Sequence, residues 1–311
     1  MAKKVADPDE PKKKTIYTIK LDENQMMQLK DWCQKNQWKP YDVDYAHFGF
    51  KGDKVNVVGY QSGKVVVQGK KTEEFVQFVI EAQITHMPEM GYDEVHHPEW
   101  FEPHLGVDES GKGDLFGPLV STCVIADGSI VRQWQKDGIR ESKSVSSDSA
   151  VLKMEQMILR TKGVVVKSTF VGMLKYNELY EKFANLNKLL AWMHSKSVKE
   201  ALTIKHVPWG MLDQFTKQPL VQNYLKEIDD FELKMQTKAE ADPVVAAASI
   251  IARATYIRQL GSLGKRFGEP LKKGSGALVK TQARELIAKL GPEVFPEFAK
   301  MHFKTATEAL N

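Results

Sequence analysis

His104-Leu105-Gly106-Val107-Asp108-Glu109-Ser110-Gly111-Lys112-Gly113-Asp114, followed by Leu115-Phe116-Gly117-Pro118-Leu119-Val120, is the stretch on which the fold and chemistry of this 311-residue chain turn. An apolar run ends in two adjacent carboxylates, and glycines and a lysine follow at once. Neighbouring side chains of an ideal strand point to opposite faces, so Asp108 and Glu109 converge only where the strand ends or twists. Gly111 and Gly113 permit that bend and let a ligand approach the backbone closely. Two converging carboxylates repel each other unless a cation lies between them. Hard divalent cations, magnesium or manganese, take oxygen ligands of this kind.

Gly106 to Lys112 also fits the first seven positions of the phosphate-loop pattern G-x-x-x-x-G-K-[ST]. Gly113 then stands where that pattern needs a metal-binding hydroxyl, and Asp108 and Glu109 would put negative charge inside a phosphate cradle. A glycine-rich turn with solvated charges is the plainer alternative.

Working outward, 42% apolar and 27% charged residues describe a soluble globular chain long enough for two domains. No apolar run reaches membrane-spanning length and the Lys-rich N-terminus lacks an apolar signal core, so a cytoplasmic protein without membrane attachment is expected. Cys33 and Cys123 lie in separate apolar segments, which predicts buried free thiols rather than a disulfide or a zinc site. The net charge of +4 is uneven: residues 87–103 hold five acids and no Lys or Arg, and the part after them is basic. A positive surround about an acidic pocket suits a polyanionic substrate.

Residues 1–14, with five lysines, three acids and two prolines, are expected to be a disordered basic arm. Over 15–86 the pattern predicts strand, helix, three strands and helix, with a hairpin turn at Gln61-Ser62-Gly63-Lys64. The result is a small α+β domain whose sheet could offer Tyr45, Phe48, Lys64 and Gln68 to a nucleic-acid backbone, or simply pack under its helices. Residues 87–103, with three prolines, read as a linker, and adjacent His96 and His97 point apart, against a shared metal. From 104 to 311 strands alternate with helices: Leu119 to Ala126 and β-branched Val164 to Val171 read as strands, the latter buried. Asn187 to about Ile204 and residues 244–260 read as helices. Asp213 ends another apolar run, and Glu240 and Asp242 stand just before the Ala-rich helix, which predicts an α/β layered domain with carboxylates gathered at strand ends.

Asp108-Glu109-Ser110-Gly111-Lys112-Gly113-Asp114, Glu141-Ser142-Lys143, Asp213, Lys238-Ala239-Glu240 and Ala246-Ala247-Ala248-Ser249-Ile250 together resemble the type 2 ribonucleases H. Gly-Lys-Gly instead of Gly-Arg-Gly, and Tyr176-Asn177-Glu178-Leu179-Tyr180 through Trp192, resemble the ribonuclease HIII branch over about residues 104–305. Residues 15–86 are similar to that branch's N-terminal extension. The resemblance implies an α/β ribonuclease-H-like catalytic domain, a mixed sheet flanked by helices, after a small α+β TATA-binding-protein-like domain that binds the hybrid duplex.

It further implies an endonuclease that hydrolyses the RNA strand of RNA/DNA hybrids to 5′-phosphate and 3′-hydroxyl ends, using Mg²⁺ or Mn²⁺ in a two-metal mechanism. Carried over by motif, Asp108, Glu109, Asp213 and Glu240 are the catalytic and metal-holding acids. Ser110, Gly111, Lys112, Gly113, Lys143 and Lys64 would bind substrate, and the chain would act as a monomer. The interval from Glu240 to the Ala-rich helix is short, so Asp242 remains a rival for the fourth carboxylate. Cleavage at single ribonucleotides, a non-catalytic hybrid-binding protein and a nucleoside-triphosphate enzyme built on Gly106 to Lys112 are the competing readings.

Overall fold

A computed structural model describes residues 14–139, 145 and 147–311. The chain forms two compact units, with the main boundary between Glu99 and Trp100. All of the expected arm 1–14 except Lys14, and the Glu141-Ser142-Lys143 motif, lie outside the described residues.

The first unit contains strands β1 (Ile16–Lys20), β2 (Lys39–Pro40), β3 (Ala46–Lys51), β4 (Val55–Tyr60) and β5 (Lys64–Gly69) in one antiparallel sheet, ordered β1-β5-β4-β3-β2. The predicted hairpin joins β4 to β5, with Gly63 at φ 80° as the tight turn needs. Helix Glu23–Lys35 starts at a capping box in which Asp22 and Gln25 satisfy each other's backbone N–H groups. Its Met26, Leu29 and Cys33 join Val76, Val79 and Ile80, from the helical segment at Thr72–Thr85, over the inward residues Val55, Val57, Val65 and Val67. Helices therefore cover one face of the sheet.

One residue of the expected nucleic-acid face is misplaced. The register of β3 against β4 shifts between Ala46 and Phe48, and the extra residue turns Phe48 inward, where it is buried in the helix-side core. Tyr45, at φ 59° ahead of β3, is 82% exposed. Between the units' regular elements, residues 87–103 form a helical turn at Asp93–His96 and a 3-10 turn at Pro98–Phe101.

The second unit is built on β6 (His104–Ser110), β7 (Val120–Ala126), β8 (Val165–Phe170), β9 (Trp209–Asp213) and β10 (Glu232–Gln236), ordered β10-β9-β6-β7-β8. β6 pairs antiparallel with β7 and parallel with β9, so the sheet is mixed. Helix Pro243–Phe267 packs on one face through Val244, Ala247, Ala248 and Ile251, and helix Leu186–Leu202 on the other through Ala191, Val198 and Ala201. β8 is only half-buried despite its β-branched sequence, because it is a sheet edge. β10, the opposite edge, alternates exposed Glu232, Lys234 and Gln236 with inward Leu233 and Met235.

Gly106 decides how closely the long helix approaches the sheet. A Cβ there would stand 2.3 Å from Val245 N and 2.4 Å from the Val244 carbonyl carbon, both backbone atoms that cannot swing aside. Gly106→Ala is therefore expected to lower stability by about 2–3 kcal/mol, near the upper end for overpacking. Gly261, exposed in the same helix with nothing within 4 Å of its Cβ position, is the matched control. There Gly→Ala is expected to raise stability by about 0.5–1 kcal/mol through helix propensity. Thermal or urea unfolding of both variants checks the pair.

Candidate active site

β6 and β9 run side by side up to the last registered pair, Val107 opposite Leu212, so Asp108 and Asp213 are the next residue of each strand. Parallel pairing thus delivers two carboxylates to one edge of the sheet, where a cleft of about 280 Å³ opens. Asp108, Glu109, Ser110, Gly111, Lys112, Gly113, Asp114 and Asp213 line it, together with Ser249 and Arg253 from the long helix.

The carboxylates are held differently. Asp108 Oδ1 accepts the Glu109 backbone N–H at 2.8 Å, and Asp213 Oδ1 accepts from Ala239 N at 3.3 Å. Glu109 lies between two nitrogens, with Lys112 Nζ 3.4 Å from Oε1 and His194 Nε2 3.3 Å from Oε2. Burial opposes its ionisation, but the His194 ring and the Lys112 ammonium more than offset that, holding the carboxyl below the usual carboxylate range.

The glycine segment is a turn of defined shape. Gly111 adopts φ 86°, and a Cβ there would meet Pro118 O at 2.2 Å and the Tyr256 ring at 2.9 Å. Gly113 faces open space within 4 Å, free for close approach by a ligand. Beyond it the chain is pinned from three sides: Asp114 accepts from Gly274 N, Tyr256 Oη donates to Phe116 O at 3.1 Å, and buried Lys300 donates to the carbonyls of Asp114 and Gly117. Burial pushes the Lys300 amine down to about 7, against the opposing pull of Asp114. Because 106–110 is strand and a turn follows it, with no helix starting at Lys112, the phosphate-loop alternative loses its structural context.

The rivals for the fourth carboxylate part company. Asp242 is fully buried as the N-cap of helix Pro243–Phe267: Oδ1 accepts from Val244 N at 2.7 Å, and both oxygens lie 3.0–3.2 Å from His104 Nε2. His104 itself stacks on Trp209, with ring centroids 4.3 Å apart. Glu240 sits in the 3-10 turn Ala239–Ala241, next to the residue that binds Asp213, but is not among the described residues lining the cleft. Lys64 belongs to the exposed sheet face of the first unit, and Lys143 lies outside the described residues. His194, Ser249, Arg253 and Asp114 were not singled out from sequence; polar residues interrupting apolar helices were the available signal for the first three.

Three oxygen-donor side chains, Asp108, Glu109 and Asp213, suit a hard divalent cation. Among the described residues no three His, Cys, Asp or Glu side chains are gathered closely enough to hold a metal ion by themselves. An open carboxylate cleft matches magnesium-type sites, where substrate phosphate and water complete the coordination.

Asp242→Ala removes a cap worth about 1 kcal/mol and leaves buried His104 short of a partner, for about 1–3 kcal/mol more. A fall in melting temperature with kcat of the folded enzyme retained is the expected outcome. An unchanged melting temperature with lost turnover would instead make Asp242 a ligand.

Known proteins share this sequence and fold. Residues 105–306 match the family described as Ribonuclease HII, and residues 17–88 match a Domain of unknown function (DUF3378). The chain is 32% identical to the Ribonuclease HIII of Chlamydia pneumoniae over 94% of its own length and 97% of that protein. It is 37% identical to the Ribonuclease HIII of Chlamydia trachomatis serovar D over 82% and 84% of the two chains. Among solved structures, Bst-RNase HIII in complex with Mn²⁺ superposes with a TM-score of 0.64 at 27% identity, covering 95% of this chain and 98% of that one. Aquifex aeolicus RNase H3, at 23% identity and a TM-score of 0.56, shares the fold. With β6 and β9 presenting their acids at the cleft and matches running through both units, the chain belongs to the type 2 ribonuclease H family, in its ribonuclease HIII branch.

Proposed function

We propose that this ribonuclease H hydrolyses the RNA strand of RNA/DNA hybrids to 5′-phosphate and 3′-hydroxyl ends by metal-ion catalysis in the Asp108–Glu109–Asp213 cleft, acting as a cytoplasmic monomer. The observation that carries the proposal is that Asp108 and Asp213 both follow directly on the last registered pair of two parallel strands and line one cleft with Glu109. Among the described residues no helix is long and apolar enough to cross a membrane, and the two free buried cysteines suit a reducing compartment.

Asp108, Glu109 and Asp213 would hold Mg²⁺ or Mn²⁺, with Glu240 the candidate fourth acid from the turn that touches Asp213. A bound metal pair supplies an activated water, neutralised phosphoryl charge and a stabilised leaving oxygen. The protein's own groups do the rest. Lys112 and Arg253 bring positive charge to an otherwise acidic cleft and so lower the cost of bringing a phosphate there. The backbone around Gly113, free of side-chain bulk, is suited to reading the ribose 2′-hydroxyl, the group that distinguishes RNA from DNA. Lys300, Tyr256 and Gly274 fix that segment, so its shape is set before substrate arrives.

The first unit would hold the hybrid backbone on the sheet face its helices leave open. Two like-charged pairs lie directly opposite each other on that face, Lys20 with Lys64 and Lys39 with Lys51. Each such pair costs the fold a few tenths of a kcal/mol, a cost that a polyanion removes. Gln68 and Ile16 share the face.

Asp108→Asn tests the catalytic half: kcat is expected to fall at least about a hundredfold at saturating Mg²⁺, with hybrid affinity little changed. Retention of more than about a tenth of the activity contradicts metal holding by Asp108. Glu240→Gln is expected to abolish Mg²⁺-supported turnover without unfolding the protein, and normal turnover would remove Glu240 from the quartet. For the binding half, the Lys20→Ala/Lys64→Ala double variant is expected to flatten the dependence of log K on log salt by roughly one unit per lost phosphate contact, at equal or slightly higher stability. An unchanged slope would detach this face from the substrate.

A further inference from the structure

We propose that His194, oriented by Ser121, is the positioning residue that aims the Glu109 carboxylate into the cleft. The proposal rests on the reading of Glu109 as a metal-holding acid. It concerns a set of side chains beneath the sheet, on the side away from the long Pro243–Phe267 helix.

Three residues lie in one register row across the strands: Glu109 on β6 opposite Ser121 on β7, and Ser121 opposite Thr169 on β8. The Leu186–Leu202 helix crosses this row and places His194 and Ser197, less than one turn apart, on the covered side. Ser121 Oγ lies 2.8 Å from His194 Nδ1 and 3.1 Å from Ser197 Oγ, which in turn is 3.1 Å from Thr169 Oγ1. Ser197 also reaches the Met193 carbonyl at 3.1 Å, one turn back in its own helix. His194 is fully buried, and its remaining nitrogen, Nε2, makes no hydrogen bond of good geometry but faces Glu109 Oε2 at 3.3 Å.

Packing alone does not account for this arrangement. Under the same helix, the preceding rows Leu105–Ile125 and Val107–Cys123 are apolar and join the core with Ala191, Val198 and Ala201. On β6 and β7 buried polarity begins at the row that contains Glu109, whereas Lys167, beside Cys123 on the edge strand β8, is only half-buried. Burying an imidazole and three hydroxyls there costs desolvation that aliphatic side chains would avoid, unless each polar atom is satisfied. The hydroxyls satisfy one another and the imidazole Nδ1, which leaves Nε2 directed at the carboxylate.

The carboxylate facing Nε2 favours the tautomer with hydrogen there, which makes Nδ1 the acceptor of the Ser121 hydroxyl and directs the Nε2 N–H at Glu109. Lys112 engages the other oxygen from the solvent side. A carboxylate gripped at one oxygen by a rigid buried donor presents a defined edge to a cation, whereas one free to rotate must lose that freedom on binding. Outer hydrogen bonds to ligating groups typically carry a factor of 10–100 in metal affinity.

The test is Mn²⁺ titration calorimetry on the full-length protein without substrate, run alongside hybrid-cleavage kinetics and melting curves for His194→Ala, His194→Gln, Ser121→Ala and Glu109→Gln. The proposal expects His194→Ala to weaken Mn²⁺ binding by about tenfold or more and to lower kcat with little change in KM for the hybrid. His194→Gln, which keeps an N–H donor at that depth, should recover most of both. Folded His194→Ala with Mn²⁺ affinity and kcat within twofold of the parent, while Glu109→Gln loses binding, overturns the proposal and makes His194 a packing residue. If His194→Ala does not fold, Ser121→Ala decides: weakened Mn²⁺ binding supports the role and unchanged binding overturns it. Should Glu109→Gln bind Mn²⁺ as the parent does, Glu109 is no ligand, and the underlying reading falls together with the proposal.

Discussion

Parallel pairing of β6 with β9 is the constraint to which the rest of the catalytic unit answers. It sets Asp108 beside Asp213 at the edge of a sheet whose interior is apolar, and Glu109 follows on the same strand. Carboxylates gathered at one edge repel, and the repulsion is strongest where the surroundings exclude water. The fold offsets it with directed donors: backbone N–H groups at Asp108 and Asp213, and Lys112 and His194 at Glu109. At Glu109 the two nitrogens stabilise the ionised form against burial, and ionised oxygen donors are what a hard cation requires.

The same constraint explains the rigidity of the neighbouring segment. A turn immediately after β6 must change direction within a few residues and still keep its backbone open to a ligand. Gly111 makes the turn at positive φ against Pro118 and Tyr256, and Lys300 is buried to hold the carbonyls that follow. A buried lysine is costly, and its amine is pushed down to about 7 as a result. The long helix approaches from the other side because Gly106 lets its backbone nearly touch the strand, which brings Ser249 and Arg253 to the rim of the cleft.

Much of this was legible in the sequence, for identifiable reasons. Asp108, Glu109 and Asp213 stand at the ends of apolar runs, a local pattern that survives without tertiary information. Glu240 was preferred to Asp242 on the Lys-Ala-Glu motif alone, because what occupies Asp242 is His104, 138 residues distant in sequence. His194 acquires meaning only from a three-strand register and a crossing helix, so a lone histidine in an apolar helix gave no sign of its contact with Glu109. Phe48 was offered to the open face on its aromatic character, with packing under the helices as the alternative, and only the register of β3 against β4 shows that it turns into the core. The lysine pairs of the first sheet were likewise invisible before the register was known.

The most direct test of the central claim is cleavage of three duplexes of one sequence, a full RNA/DNA hybrid, a DNA duplex and a DNA duplex with a single ribonucleotide, with and without Mg²⁺ or Mn²⁺ and without any nucleoside triphosphate. The account predicts metal-dependent cleavage of the RNA strand of the full hybrid, with 5′-phosphate products and no cut in all-DNA duplex. Hybrid cleavage that persists in chelator, or that requires a nucleoside triphosphate, would contradict it.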